Sequence, residues 1–453
     1  MGLETALRAL QSQQAGIDVT SHNVANANTP GFSRQSAELV ATRALDVVGA
    51  AGQIGTGVTV TRYQRARDAF LDVQYRLQDA RLHQARVTQD TLDQVETILN
   101  EPSASGISSL LDRFFDSWAT LADNPSDLTA RAAVVQQAAS MAAALNGAAS
   151  ALTVLQGQLD SSVNLRVTEV NDLAKQIASL NQQIVQTEIF GQAANDLRDR
   201  RDLVIDRLSG LAHVTTTEAA SGSVDIFIGA HALVSGINTD PLATTPTGPG
   251  GSFEVRFSSD NSLATIASGE LRGLLDARDV NLPSYLSRLN AIGSSLITTV
   301  NQVHAAGYGT DGNTGRDFFV GTDAATIAVN PVLVADPRLV AAADAPAQPG
   351  NNAVALAVAQ LHETLSPSPE DAYAALVTSL GIDGRSSRDL ADNQQLMVNL
   401  LSQRRQSVSG VSLDQEAVDL TRYQRAYQAA ARVITALDEM LDKLINDTGI
   451  VGR

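Results

Sequence analysis

The sequence predicts a mainly α protein with a nested plan: terminal coiled-coil helices outermost, a long-helix bundle as the body, and a small β-rich insertion innermost. Three observations predict it. Apolar residues recur at heptad spacing near both ends, the longest such stripe lies in the interior, and the period shortens to two only between 213 and 268. Aromatic residues are scarce and Trp118 is the single tryptophan, which suits helices packed through Leu, Ile, Val and Ala better than a broad β-sandwich.

At the N-terminus Leu3, Leu7, Leu10, Ile17 and Val24 step by fours and threes along one face, with Gln14 and Ser21 in the gaps. The stripe stops at Asn28-Thr29-Pro30-Gly31. Pro30 pushes Thr29 out of the α region, Pro-Gly suits the central positions of a type II turn, and Asn26 and Asn28 tolerate a left-handed exit. At the other end Leu413, Leu420, Tyr427, Ile434 and Leu441 recur every seven residues, widened by Ala417, Ala430, Leu437 and Leu444. Between them, residues 63–99 and 127–150 read as helices, the second capped at Asp127 after Asn124-Pro125. Val163, Val170, Ile177 and Ile184 predict a helix over 150–189, roughly 60 Å long at 1.5 Å per residue. Gly191 ends it. Leu197, Val204 and Leu211 mark the next helix, Leu282, Leu289, Leu296 and Val303 another over 281–304, and 371–405 a last one interrupted by glycine near 381–384.

"SVDIFIG" and "FEVRF" alternate apolar and polar residues, and the loop-forming "DPLATTPTGPGG" lies between them, so 213–268 reads as the β insertion. The divisions expected are a terminal assembly domain (1–34 with 405–453), a helical body (35–212 with 269–404) and the insertion. The irregular 306–352 is assigned either to the body or to an outer domain. "TRYQRA" occurs at 61–66 and at 421–426. It reads either as coincidence between two arginine-rich helix faces or as equivalent placement of Tyr63 and Tyr423.

Chemistry is thin. The chain of 453 residues carries a net charge of −17, no basic run and only two lysines, Lys175 and Lys443, so nucleic acid and anionic membranes are poor partners. It has no cysteine, which removes disulfides and thiolate metal sites. No run of 18 apolar residues predicts a membrane insertion, and "MGLETALRALQSQQ" is not a secretory signal peptide. No two of the six histidines lie within five residues of one another, which leaves no local metal pair. "GYGTDG" at 307–312 follows a helix and reads as a glycine-rich turn, not a nucleotide loop. "DGNTGRD" at 311–317 resembles a calcium loop but has Arg316 and Thr322 where Gly and Glu belong. "DLRDRRD" at 196–202 reads as a wet helix face with pairs such as Asp196–Arg200. Phe114, Phe115 and Trp118 read as core. No catalytic, cofactor-binding or metal residues emerge, and the expectation is a non-enzyme without cofactors. Taken alone, residues 3–25 bury too little to offset the entropy of ordering them. Both ends are therefore expected to be mobile in the free chain and to order when copies pack side by side, rather than docking on their own body.

"SHNVANANTPGFSRQ" at 21–35 resembles the N-terminal signature of flagellar rod, hook and hook-associated proteins, and residues 407–446 look like the matching C-terminal signature. Residues 110–135, 195–209, 269–279 and 307–319 are similar to the flagellar hook-associated protein 1 family. The resemblance implies a nested axial-protein architecture and a structural role joining hook to filament by self-assembly. It also implies type III export to the extracellular flagellum. An assembly interface follows, of Leu3, Leu7, Leu10, Ile17 and Val24 with Leu413, Leu420, Tyr427, Ile434 and Leu441. The implied partners are further copies, the hook protein, hook-associated protein 3, and an export chaperone covering Ile434, Leu437 and Leu441. The Asn28–Gly31 turn is then the exit from an inner tube. The alternatives are a hook or distal-rod protein, which should be β-rich within; a flagellum-associated hydrolase seated near Asp311 and Asp317; and an exported coiled-coil protein that does not polymerise.

Overall fold

A computed structural model describes residues 2–46 and 52–447. Helix α1 (Gly2–Asn26) leads into an antiparallel hairpin of β1 (Gln35–Ala41) and β4 (Val58–Arg65), whose tip carries the short pair β2 (Leu45–Asp46) and β3 (Gln53–Ile54). The body begins with α2 (Ala69–Leu99), α3 (Ile107–Asp123), α4 (Leu128–Glu188) and α5 (Asn195–Leu211). The insertion pairs β5 (Thr215–Glu218), β6 (Val224–Ile228), β7 (His231–Ser235) and β8 (Asn238–Thr239) in one antiparallel sheet. In a second, β9 (Leu242–Thr245) pairs with β10 (Glu254–Phe257). The body resumes with α6 (Glu270–Asp276) and α7 (Leu282–His304). Short pieces follow: β11 (Phe319–Val320), β12 (Ala328–Val329), α8 (Pro331–Ala335), α9 (Ala353–Ala359) and α10 (Leu361–Thr364). The chain closes with α11 (Pro369–Ser409) and α12 (Leu413–Asp442). The expected nesting is present: mainly α, helices at both ends, long helices in the body, strands in the insertion.

The axis of the body is α4. Its 61 residues run about 90 Å, because the two helices expected over 127–150 and 150–189 are one. Nothing between Leu128 and Glu188 breaks a helix, and alanine fills the stretch where the heptad signal weakens. Asp127 caps it, accepting from the Thr129 amide at 2.8 Å. Val163, Val170, Ile177 and Ile184 are all fully buried. By length and composition α4 is apolar enough to cross a membrane. The expectation had counted only unbroken apolar runs. Those apolar residues are the core of the bundle, packed on α3, α5, α6 and α7. Phe114, Phe115 and Trp118 are core as expected, in a ring cluster with Phe318 and Phe319.

Several boundaries move. Residues 63–65, read as helical, end strand β4, because Val58-Thr59-Val60-Thr61 is β-branched throughout and α2 starts only where Asp68 caps it at Phe70 and Leu71. The pair β1 and β4 went unread because it is mostly exposed, so its apolar alternation is shallow. "TRYQRA" is strand at 61–65, leaves it at Ala66, and is helix at 421–426, so the two tyrosines have unrelated surroundings. Residues 242–245 of the expected loop form β9. α11 shows no break at 381–384. A Cβ on Gly384 would meet the Glu96 carboxylate of α2 at 2.9 Å, so the glycine permits close approach, not a kink. Neither Asn26 nor Asn28 is left-handed. The left-handed residue is Gly31, at φ 80°, and the Phe32 amide donates to the Thr29 carbonyl at 3.2 Å, closing a type II turn.

Two buried polar side chains hold the irregular parts to the frame. Asn181 of α4 donates to Val224 O at 2.8 Å and Gly236 O at 2.7 Å and accepts from the Val224 amide, which fastens the insertion. His304 ends α7, accepts from the Ala341 amide at Nε2 (2.9 Å) and contacts Arg316 O through Nδ1 (2.8 Å), so Nδ1 carries the proton. Burial pushes its pKa down from 6.5 to about 4. The unfolded chain binds the proton that the folded chain refuses. Stability should therefore fall as pH drops from about 6.5 to about 4, by up to about 1.4 kcal/mol per pH unit. Urea midpoints across that window should show the slope in the wild type and lose it in His304→Gln.

Candidate assembly interface

Helix α1 divides its faces by size. It buries Ala6, Ser12, Gly16, Thr20 and Asn23, all small or polar. These face the antiparallel helix α12 and the hairpin: a Cβ on Gly16 would lie 2.7 Å from the Tyr423 ring, and Ser12 Oγ donates to Val58 O at 3.4 Å. The leucine stripe lies elsewhere. Leu3, Leu7 and Val24 are exposed, and Leu10 and Ile17 are half-buried. α12 meets α1 by another face, that of Gly2 and Gly16. On α12, Leu420, Tyr427, Ile434 and Leu437 are half-buried while Leu413 and Leu441 are exposed, and its one fully buried residue is Glu416.

Glu416 explains the asparagines of "HNVANANTPG". It accepts from Arg34 Nε at 2.6 Å and from Asn23 Nδ2 at 3.0 Å. Asn23 also donates to Gln35 O and accepts from the Gln35 amide, both at 2.9 Å, taking the place of a strand neighbour for β1. Arg34 reaches Asp419 at 3.1 Å and its amide donates to Ser409 O. Asn26 ends α1: its Nδ2 donates to His22 O at 3.1 Å, and its Oδ1 accepts from Thr29 Oγ1 at 3.1 Å. The exposed Asn28–Gly31 turn then swings the chain against Leu203 of α5.

Behind this joint lies an ionic cluster where the hairpin, α2, α5 and α11 meet. Ser33 donates twice to Asp199, both at 2.8 Å. Arg65 bridges Asp199 at 2.7 Å and Asp202 at 2.9 Å. Arg67 holds Asp72, Arg76 holds Asp206, and Arg405 of α11 binds both carboxylates at 2.8 Å. Burial raises the pKa of Asp199 despite Ser33 and Arg65. It opposes Asp202 too, but Arg67, Arg65 and Arg76 outweigh it and hold that carboxyl below its usual range. "DLRDRRD" is thus not a wet face: Asp199 and Arg201 are buried, and Asp196 pairs with Gln35 and His22, not Arg200. The error has a cause. A charge run is solvated by default, and the partners of its aspartates are separated from them by more than a hundred residues. Asn23, Arg34 and Glu416 were missed likewise; the one available signal was a polar residue on an otherwise packed face.

In the 311–317 loop, Arg316 takes both oxygens of Asp311, filling the place a calcium ion would need.

Three matches to known families follow the same division of the chain. Residues 3–32 match the flagella basal body rod protein family and 402–447 the C-terminal part of flagellar basal body rod FlgEFG proteins. Residues 92–319 match the helical domain of flagellar hook-associated protein FlgK. The class is that of structural axial proteins of the bacterial flagellum. Its ends are common property, and the middle decides among members. The chain is 34% identical to flagellar hook-associated protein 1 of Bacillus subtilis (strain 168), over 100% of this chain and 99% of that one. It is 25% identical to the Escherichia coli (strain K12) protein of that name, over 98% and 99%. The chain belongs to the flagellar hook-associated protein 1 family. A solved structure of the flagellar hook junction protein FlgK from Burkholderia pseudomallei shares the fold, with a TM-score of 0.65 at 18% identity over 74% of this chain and all of that one.

Two substitutions test the joint. Asp202→Asn leaves Arg65, Arg67 and Arg76 short of a buried counter-charge and should lower stability by about 3 kcal/mol in urea unfolding. Gly16→Leu drives a side chain into Tyr423. It should speed amide exchange throughout α1 and α12 while leaving α4 protected.

Proposed function

We propose that this chain joins hook to filament by self-assembly, with copies laying α1 and α12 beside those of their neighbours. The supporting observation is the division of α1: its fully buried residues are small or polar, and Leu3, Leu7 and Val24 face out. Leu3, Leu7 and Val24, with Leu413 and Leu441, stand exposed on a helix pair that has little core of its own. Neighbouring copies would cover them, and Leu10, Ile17, Leu420, Tyr427 and Ile434 would pass from half-buried to buried. An isolated pair with so little burial should open readily, which is the mobility expected of both ends in the free chain.

The hook protein and hook-associated protein 3 are the neighbours this reading assigns along the axis. A chaperone masking Ile434, Leu437 and Leu441 before assembly fits their position on the exposed end of α12. Export through the flagellar type III channel belongs to the same reading. The role is structural, not catalytic: Asp311, on which a hydrolase would depend, is bound to Arg316. The domain boundary that serves this function is drawn at Asn26 and Leu413, because Ser33 and Arg405 belong to the ionic joint and cannot be cut away with the helices.

The test removes residues 1–26 and 413–453. The shortened chain should melt as the full chain does and sediment as a monomer, yet fail to seat on hook ends in cells lacking the intact protein. Seating by the shortened chain overturns the proposal.

A further inference from the structure

A cleft of about 610 Å³ opens beside the ionic joint, where β4, α2, α5 and the insertion strand β5 face one another. Six arginines and four carboxylates line it. Five of the arginines are matched. Arg62 has Glu38, Arg198 has Glu188 and Glu218, and Arg65, Arg67 and Arg76 share the aspartates of the joint.

The sixth is Arg201. It is 1% exposed, and no carboxylate lies within ion-pairing distance of it among the described residues. Its Nη1 donates to Asn181 Oδ1 at 2.9 Å and to Gly222 O at 2.6 Å, both neutral acceptors, and its Nε has no partner. Burial pulls its pKa down to about 10; Asp202 and Glu218 oppose that fall, and Arg198 and Arg65 add to it. Arg67 also keeps a buried Nη2 without an acceptor. Two guanidinium nitrogens with nowhere to donate therefore belong to residues lining one cleft. A buried charge without a counter-ion costs stability, so the cleft is incomplete as it stands.

A neutral group can accept those hydrogen bonds, but only an anion also supplies the charge that Arg201 lacks. Guanidinium groups pair best with oxyanions, whose several oxygens accept from more than one N–H at once. The overall charge of −17 opposes an anion only at short range, because physiological salt screens it beyond about 8 Å. On the walls of the cleft itself arginines outnumber carboxylates. We propose that this cleft is a binding site for a small oxyanion, with Arg201 as its counter-charge. Free phosphate and a carboxylate side chain of an adjoining protein share that chemistry. The inference is independent of how copies of the chain pack.

Binding is read on the full chain at constant pH and ionic strength, with phosphate replacing chloride. The phosphorus resonance of inorganic phosphate should broaden when the protein is added, and the melting temperature should climb with the logarithm of phosphate concentration once the site fills. Arg201→Lys keeps a charge but loses Nε, and should weaken binding about tenfold or more. Because Arg201 also holds Asn181 and Gly222, a second variant leaves it in place. Thr216→Glu, on the half-buried wall of the cleft, supplies a built-in carboxylate. It should melt higher than the wild type in chloride and no longer respond to phosphate. No broadening with the wild type overturns the site, as does a phosphate response unchanged in either variant. Acetate that raises the melting temperature as phosphate does identifies the ligand as a carboxylate; a response to phosphate alone identifies the free tetrahedral ion.

Discussion

Everything at the ends of this chain depends on one buried carboxylate. Glu416 is the single fully buried residue of α12, and it is held from both sides of the N-terminal segment, by Asn23 and by Arg34. An apolar seam with heptad spacing can slide by seven residues and still match. The Asn23–Glu416–Arg34 contact forms in one register only, and slipping it strands a buried charge. The two helices are thereby aligned before any neighbour arrives. The same contact sets Gln35 at the start of the hairpin, so register in the helices and pairing in β1 share one determinant.

From that point the ionic cluster carries the alignment into the body. Ser33 and Arg65 bring the hairpin to Asp199 and Asp202 on α5, and Arg405 brings α11 to Asp72 and Asp206. Removing these charges from water costs more than an apolar joint would. What they supply is direction: a guanidinium between two carboxylates fixes an angle, whereas leucines would accept several. A subunit whose terminal pair must lie at a set angle to its body gains from that rigidity.

The parts legible in the sequence were those where one physical rule dominates. The stripe Val163–Ile184 lay on the buried face because a long helix has only periodicity to obey. Asp127 capped and Pro30-Gly31 turned because local chemistry decides caps and turns. The hairpin 35–65 and the buried run 196–202 were hidden for the opposite reason. A shallow, exposed strand pair has weak alternation, and a charge run declares its partners only once the chain has brought distant segments together. "TRYQRA" shows the limit directly. Five of the six identical residues are strand beside β1 in one copy and helix beside α1 in the other, so tertiary neighbours, not intrinsic preference, chose between them.

The leucines of α1 show that a stripe in the sequence does not say which neighbour meets it. Heptad spacing picks out a stripe that α12 does not cover. α12 instead takes the face with Gly16, because only a small residue lets the Tyr423 ring lie against the backbone. A helix that met its own partner through leucines would have nothing apolar left to offer another copy. By making the internal contact with Gly16, Ser12 and Asn23, α1 keeps Leu3, Leu7 and Val24 outward. The internal pair is consequently thin and held in place by polar register contacts. That is the arrangement a chain needs if folding alone is to orient its ends and association is to bury them.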